Sequence, residues 1–320
     1  LATVAAATVT LAACATPTAP PTAPPAAALE AAPAGEPPAD LTVLASTTIL
    51  ADIAQNVAGE RTTVSALLPV GADPHSFQPT PADLGKIARS TVLIVNGAGY
   101  EKWLQETLDN AGGQRAVIEG SAGLVPRHSQ PGEPVQGGSD RANPDPHFYL
   151  DPSDVATYAD NVAAGLSQAD PGGAASYAGN AAAYKAQLVS LDQELRQLLA
   201  AVPAAKRLLV TDHDDLGYFA DRYDFQIVGM VLPSFSSEAE PSAREMAELV
   251  KAIKAAGAEA IFTEAGANAK LAEQVATEAG AKVVSTLYTH SLSAPDGPAA
   301  TYLDLMRHNA RAVAQALGGH

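Results

Sequence analysis

Cysteine is all but missing from this chain of 320 residues, with Cys14 standing alone. A single thiol forms no intramolecular disulfide and rules out a cysteine-based zinc site. Positive charge is scarce too: 19 Lys and Arg face 35 Asp and Glu, for a formal net charge of −16 and a pI near 4.7. Nucleic acid and anionic lipid would both be repelled, so neither is expected as a partner, whereas a cationic ligand is compatible. Aromatic residues supply only 5% of the chain against 47% hydrophobic residues. Closely packed helices and sheets with small side chains are therefore expected. The apolar stretch at 1–13 is too short to cross a bilayer, and no other segment is suited to it. Nucleotide and hydrolase motifs are lacking as well. Gly97-Ala98-Gly99 follows a strand, but Lys102 stands where a dinucleotide fingerprint needs its third glycine, and there is no phosphate loop, His-Glu-x-x-His or nucleophile elbow.

The length is sufficient for two domains with separate cores. Leu11-Ala12-Ala13-Cys14 resembles the lipobox that ends a bacterial lipoprotein signal peptide, with Cys14 as the lipidated residue; the chain reads as starting within that signal, which covers 1–14. Residues 15–40 are mostly Ala, Pro and Thr and read as an extended, disordered tether holding a domain away from a membrane.

Beyond the tether, strands and helices alternate. Apolar runs at 41–45, 63–68, 92–95 and 116–119 read as strands, and 49–58, 81–88 and 101–110 as helices. The order repeats from 207: strands at 208–210, 227–232, 260–262 and 282–284 are interleaved with helices at 215–223, 242–256 and 269–279, and a terminal helix follows at 302–316. Between the halves, Asp170-Pro171 opens the longest helix, striped by Tyr177, Tyr184, Leu188, Leu191, Leu195 and Leu198 and ending before Pro203. At 1.5 Å per residue, about 30 residues would run on the order of 45 Å. The expectation is an α/β protein of two lobes, each a mainly parallel sheet flanked by helices: 41–169, then a connecting helix at 170–202, then 203–320.

Histidine is the residue that carries chemistry. His75 and His147 sit in the same triplet, Asp73-Pro74-His75 and Asp145-Pro146-His147, and each is followed by a cap, proline and acid pattern: Thr80, Pro81 and Asp83, then Asp151, Pro152 and Asp154. His213 and His290 also read as lying just beyond strands. Spacings of 72, 66 and 77 residues match no short metal motif, so the fold itself would have to bring the four together. Ligands gather beyond the carboxyl ends of strands in parallel sheets, which makes a shared cleft the expected meeting point. His128, His308 and His320 lack such a setting.

Four segments taken together resemble a known family: residues 71–83 (Gly-Ala-Asp-Pro-His-Ser-Phe-Gln-Pro-Thr-Pro-Ala-Asp), 145–152 (Asp-Pro-His-Phe-Tyr-Leu-Asp-Pro), 213–220 (His-Asp-Asp-Leu-Gly-Tyr-Phe-Ala) and 301–309 (Thr-Tyr-Leu-Asp-Leu-Met-Arg-His-Asn). They look like the zinc and manganese solute-binding lipoproteins of ABC importers, the cluster A-I or ZnuA/TroA-like family, over about 41–316. The resemblance implies two lobes bridged by one rigid helix, with a metal in the cleft. It makes His75, His147 and His213 ligands, and places His290 where many members have Asp. It also implies an extracytoplasmic monomer that reaches the membrane only through its lipid and serves the permease of its import system.

An all-histidine set favours zinc, with manganese the alternative. Asp73, Asp145, Asp212 and Asp214 lie near the histidines and are candidates to orient them, and Glu264 is the substitute oxygen ligand. Two rivals belong to other classes: a zinc hydrolase with three histidines, an open coordination position and Glu264 as base, and a surface adhesion lipoprotein whose metal is incidental.

Overall fold

The computed structural model describes residues 1–5, 38, 41–127, 145–232, 234, 237–238 and 240–318. The expectations for Cys14, His128, His320 and nearly all of the tether fall outside these residues. Contacts divide the chain into units 1–33 and 34–320, and the second is described here.

Two four-stranded parallel sheets organise this unit. One contains β1 (Val43–Ala45), β2 (Val64–Ala66), β3 (Val92–Val95) and β4 (Ala116–Glu119) in the order β2-β1-β3-β4. The other contains β5 (Leu208–Thr211), β6 (Gln226–Met230), β7 (Ala260–Glu264) and β8 (Lys282–Leu287) in the order β6-β5-β7-β8. The same winding thus occurs twice. Every residue of β1 and β3 is buried, as a central strand covered on both faces requires. In each sheet the chain leaves the first strand on one side and returns on the other, which opens a crevice at the strands' carboxyl ends.

Nine helices surround the sheets among the described residues: α1 (Thr48–Ala58), α2 (Pro81–Arg89), α3 (Leu104–Ala111), α4 (Pro152–Ala169), α5 (Ala174–Leu199), α6 (Gly217–Arg222), α7 (Ala243–Ala256), α8 (Lys270–Ala279) and α9 (Tyr302–Leu317). The cap read at Thr80 is formed, and a second box occurs in the other sheet's half. Thr80 with Asp83, and Ser242 with Glu245, form reciprocal capping boxes that start α2 and α7. Helices α3 and α6 start later than expected. Residues 101–103 stay outside α3 because the Glu101 carboxylate accepts the Asn96 and Gly97 N–H groups. Among 215–223, only the six residues of α6 are helical.

The long helix α5 has 26 residues, about 39 Å at 1.5 Å each. It begins at Ala174, because Pro171–Gly173 form a tighter turn in which Arg61, paired with Asp170, lies where a side chain on Gly173 would be. Its buried stripe is Tyr177, Ala181, Tyr184, Leu188, Leu191, Leu195 and Leu199. The helix packs on α1 and α4 of the first lobe and on α9 of the second. One apolar core consequently runs through both lobes, from Ile53 and Tyr158 through Leu188 and Leu195 to Phe219 and Met306. Among the described residues no helix is long and apolar enough to cross a membrane.

Candidate metal centre

The two Asp-Pro-His triplets fold alike. Asp73 Oδ1 accepts the His75 N–H at 2.8 Å, and Asp145 Oδ1 accepts the His147 N–H at 3.0 Å. In both, the residue before proline is turned so that its short acid reaches two residues ahead. Each proline carbonyl is then held from outside: Trp103 Nε1 donates to Pro74 at 2.9 Å, and Asn96 Nδ2 donates to Pro146 at 2.9 Å. Asn96 is itself fixed, since the Tyr158 hydroxyl donates to its Oδ1 at 2.7 Å and its N–H donates to buried Glu101 at 2.7 Å. Asp145 also lies 2.9 Å from His147 Nδ1.

In the second lobe His213 lies two residues beyond the end of β5. Asp212 Oδ1 accepts its N–H at 2.9 Å and lies 3.1 Å from its Nδ1, with Asp215 Oδ2 at 3.8 Å from the same nitrogen. His290 follows β8. The Thr289 before it donates both N–H and Oγ1 to Glu264, at 2.6 and 2.7 Å.

All four histidines face one buried point. The Nε2 atoms of His75 and His147 are 3.2 Å apart, and those of His213 and His290 are 3.0 Å apart. One ligand atom from each residue lies within 4.8 Å of the other three. All four side chains are buried, with His147 and His213 at 0% and 1% exposure.

The site's electrostatics favour positive charge at one place. Burial and the neighbouring imidazoles hold His75, His147 and His290 below the ordinary imidazole range, so their nitrogens keep free lone pairs. Burial acts on His213 in the same sense, but Asp215 and Asp212 outweigh it and raise this imidazole to about 10. Burial raises the Asp145 and Asp215 carboxyls above their usual range.

Sequence expectation and structure differ in several details. His147 does not follow a strand; it precedes a short turn, Phe148–Leu150, ahead of α4. The Asp214 N–H donates to the Ser234 carbonyl. The residue that does approach His213 is Asp215, which had read as a helix start. Glu264 stands outside the four-nitrogen cluster and holds Thr289. Tyr100 is buried and stands edge-on to His75, with ring centroids 4.9 Å apart. The Gly97-Ala98-Gly99 loop offers its N–H groups to acids, with Gly97 donating to Glu101 and Ala98 to Glu119, so it is closed to phosphate. His308 lies in α9, with Nε2 at 2.9 Å from the Thr286 carbonyl.

Compared with known proteins, this chain matches one family over most of its length. The model described as "Zinc-uptake complex component A periplasmic" fits residues 43–316. The chain belongs to this family. It is an extracytoplasmic metal-binding component of a metal importer and not an enzyme, so the hydrolase reading falls. Relatives include the iron-binding protein YfeA of Yersinia pestis, 30% identical over 86% of this chain and 86% of its own. The manganese-binding lipoprotein MntA of Halalkalibacterium halodurans is 28% identical over 84% of this chain and 86% of its own. Among solved structures, the Mn-bound periplasmic metal binding protein of Candidatus Liberibacter asiaticus superposes with a TM-score of 0.76 at 29% identity, covering 87% of this chain and 99% of that one. The periplasmic zinc binding protein TroA of Treponema pallidum gives a TM-score of 0.77 at 26% identity, covering 88% and 99%. Their names divide among iron, manganese and zinc.

Proposed function

We propose that His75, His147, His213 and His290 hold one divalent cation between the lobes, zinc in preference to manganese, for delivery to the ABC permease of the same import system. The observation that carries this reading is the donor set: four imidazole nitrogens converge, and the nearby carboxylates stand one layer out. Imidazole suits zinc, whereas manganese favours oxygen. Ligand nitrogens about 2.0–2.1 Å from a tetrahedral zinc lie about 3.3–3.4 Å apart. The pairs at 3.2 and 3.0 Å are close to that spacing.

Neutral imidazoles bring no charge to a divalent ion. Asp145 at His147 and Asp212 with Asp215 at His213 supply it from behind the rings and orient their nitrogens. Asp73 also belongs to this layer; it holds the His75 backbone and accepts a hydrogen bond from Ser237 of the second lobe.

The test is competition between zinc and manganese for chelator-stripped protein. Zinc is expected at one ion per chain and at least about 100-fold tighter than manganese, and His147→Ala should lose most of the zinc affinity. Equal or tighter manganese binding would overturn the zinc preference. Zinc binding indifferent to His147→Ala would overturn the site. We further read Cys14 as the lipid attachment point of a monomeric receptor. Incorporation of labelled fatty acid that survives Cys14→Ala would refute the attachment point, and a dimer in analytical ultracentrifugation would refute the monomer.

A further inference from the structure

Thr289, the residue just ahead of His290, is gripped from both lobes. On its second-lobe side, Glu264 accepts the Thr289 N–H and hydroxyl. On its first-lobe side, the Thr289 carbonyl accepts a hydrogen bond from the Tyr149 hydroxyl at 2.9 Å. Tyr149 stands two residues beyond His147 and is 2% exposed. A carbonyl only accepts, so the one Tyr149 proton is committed to Thr289. The Tyr100 hydroxyl, 2.7 Å from that of Tyr149, is therefore the donor between the two. Tyr100 in turn stands edge-on to His75 and His147, with centroids at 4.9 and 5.7 Å. A directed chain of hydrogen bonds thus leads from the ring packed on the first lobe's imidazoles to the backbone that carries the second lobe's last one. Tyr149 is held in turn, because its own carbonyl accepts from the Tyr302 hydroxyl at 2.8 Å.

We propose that Tyr149 is the positioning residue for His290, tying the fourth ligand to the first lobe so that it is presented only while the lobes are apposed. This rests on the reading of His290 as a metal ligand. The physical argument concerns the plane of one peptide. Glu264 fixes the Thr289 N–H, but rotation of the following Thr289–His290 peptide would still swing the imidazole away from its place 3.0 Å from His213. The Tyr149 hydroxyl opposes that rotation. Without it the buried carbonyl loses its donor and the segment turns to find another. The other three histidines do not depend on this contact, since Asp73, Asp145 and Asp212 hold their backbones directly. A residue serving only as core packing would behave differently, because phenylalanine fills the same space.

The test compares Tyr149→Phe, His290→Ala and their combination in the full chain, with zinc affinity measured by competition against a chromophoric chelator. The visible ligand-field spectrum of bound Co2+ reports the coordination set. Tyr149→Phe should weaken zinc about 10- to 100-fold, the range for partners behind a ligand. Its Co2+ spectrum should move toward that of His290→Ala, and the double variant should bind no more weakly than His290→Ala alone. Melting temperatures above the assay temperature exclude unfolding as the cause. Tyr100→Phe leaves the Tyr149 to Thr289 bond in place and should lose less. Wild-type affinity and spectrum in Tyr149→Phe, full additivity with His290→Ala, or an equal loss in Tyr100→Phe would overturn the positioning role while leaving His290 a ligand. If His290→Ala itself binds zinc as the parent does, the reading of the metal site fails and the proposal with it.

Discussion

Replacing Asp145 by asparagine takes one charge from behind His147 and changes almost nothing else in shape. The side chain is 0% exposed, and its Oδ1 meets both the His147 N–H and Nδ1, two contacts an asparagine oxygen reproduces. A cation about 2 Å beyond Nε2 would lie about 7 Å from the carboxylate. At an effective dielectric of ~20, one negative charge and a divalent cation at that distance attract by ~5 kcal/mol. That is an upper limit, because burial already draws the Asp145 carboxyl toward its neutral form. Partners behind a ligand are commonly worth about 10- to 100-fold in affinity, so the expected loss is about 30-fold, or ~2 kcal/mol. Competition with a fluorescent zinc chelator at low and high salt measures it. The loss should persist in high salt, because a buried charge is poorly screened. Asp145→Ala, which also frees the ring and strands the His147 N–H, should bind more weakly still. Zinc binding by Asp145→Asn within about threefold of the parent would refute the role given to the outer carboxylates.

Other outcomes follow from the same structure. Zinc affinity should fall as pH drops from about 8 to 5, since His213, raised to about 10 by Asp215 and Asp212, has to release a proton before its nitrogen can bind while burial already keeps the other three imidazoles neutral, and a flat titration would contradict the ligand set. Burial raises Asp52 in α1 to about 6, against the Tyr302 N–H it accepts and with Asp304 adding to the rise. The folded state therefore binds that proton more tightly than the unfolded chain, and its contribution to stability is full below about pH 4 and lost as pH rises through 6. Asp52→Asn should then stabilise the protein by at most about 3 kcal/mol at pH 7.5 and hardly at all at pH 4, as read by urea unfolding; an equal gain at both pH values would refute the assignment. Gly120→Ala would place a methyl carbon 2.4 Å from the Tyr158 ring, which is buried and bonded to Asn96. A loss of about 1–3 kcal/mol in thermal unfolding is expected, and an unchanged melting temperature would show that the contact yields freely.

Much of the fold was legible because its signals are local. Runs such as Val92-Leu93-Ile94-Val95 and the capping boxes at Thr80 and Ser242 state their structure within a few residues. His75 and His147 were legible for the same reason, since Asp-Pro-His builds its turn from neighbours alone. Convergence with His213 and His290 was an inference from topology, as no spacing encodes it. What could not be read depends on contacts between distant segments. A tyrosine that fills core and a tyrosine that ties two lobes are spelled alike, so Tyr100 and Tyr149 gave no sign of their placement. Asp215 looked like a helix residue because the six-residue α6 begins only at Gly217. The delayed start of α5 rests on Arg61 packing against Gly173, more than a hundred positions away in the chain.

The nitrogens come in two pairs, His75 with His147 on one lobe and His213 with His290 on the other. On the proposed ligand set each lobe is a two-toothed chelator, and an ion joining them would act as a reversible cross-link. By linkage, free metal at 1,000 times its dissociation constant adds about 4 kcal/mol to the stability of the joined state. The shared core around α5 already keeps the two histidine pairs facing each other, so loading should change stiffness more than shape. A permease taking the ion has to undo a cross-link, and tension between the lobes, applied at any point that separates one pair from the other, would serve as its handle.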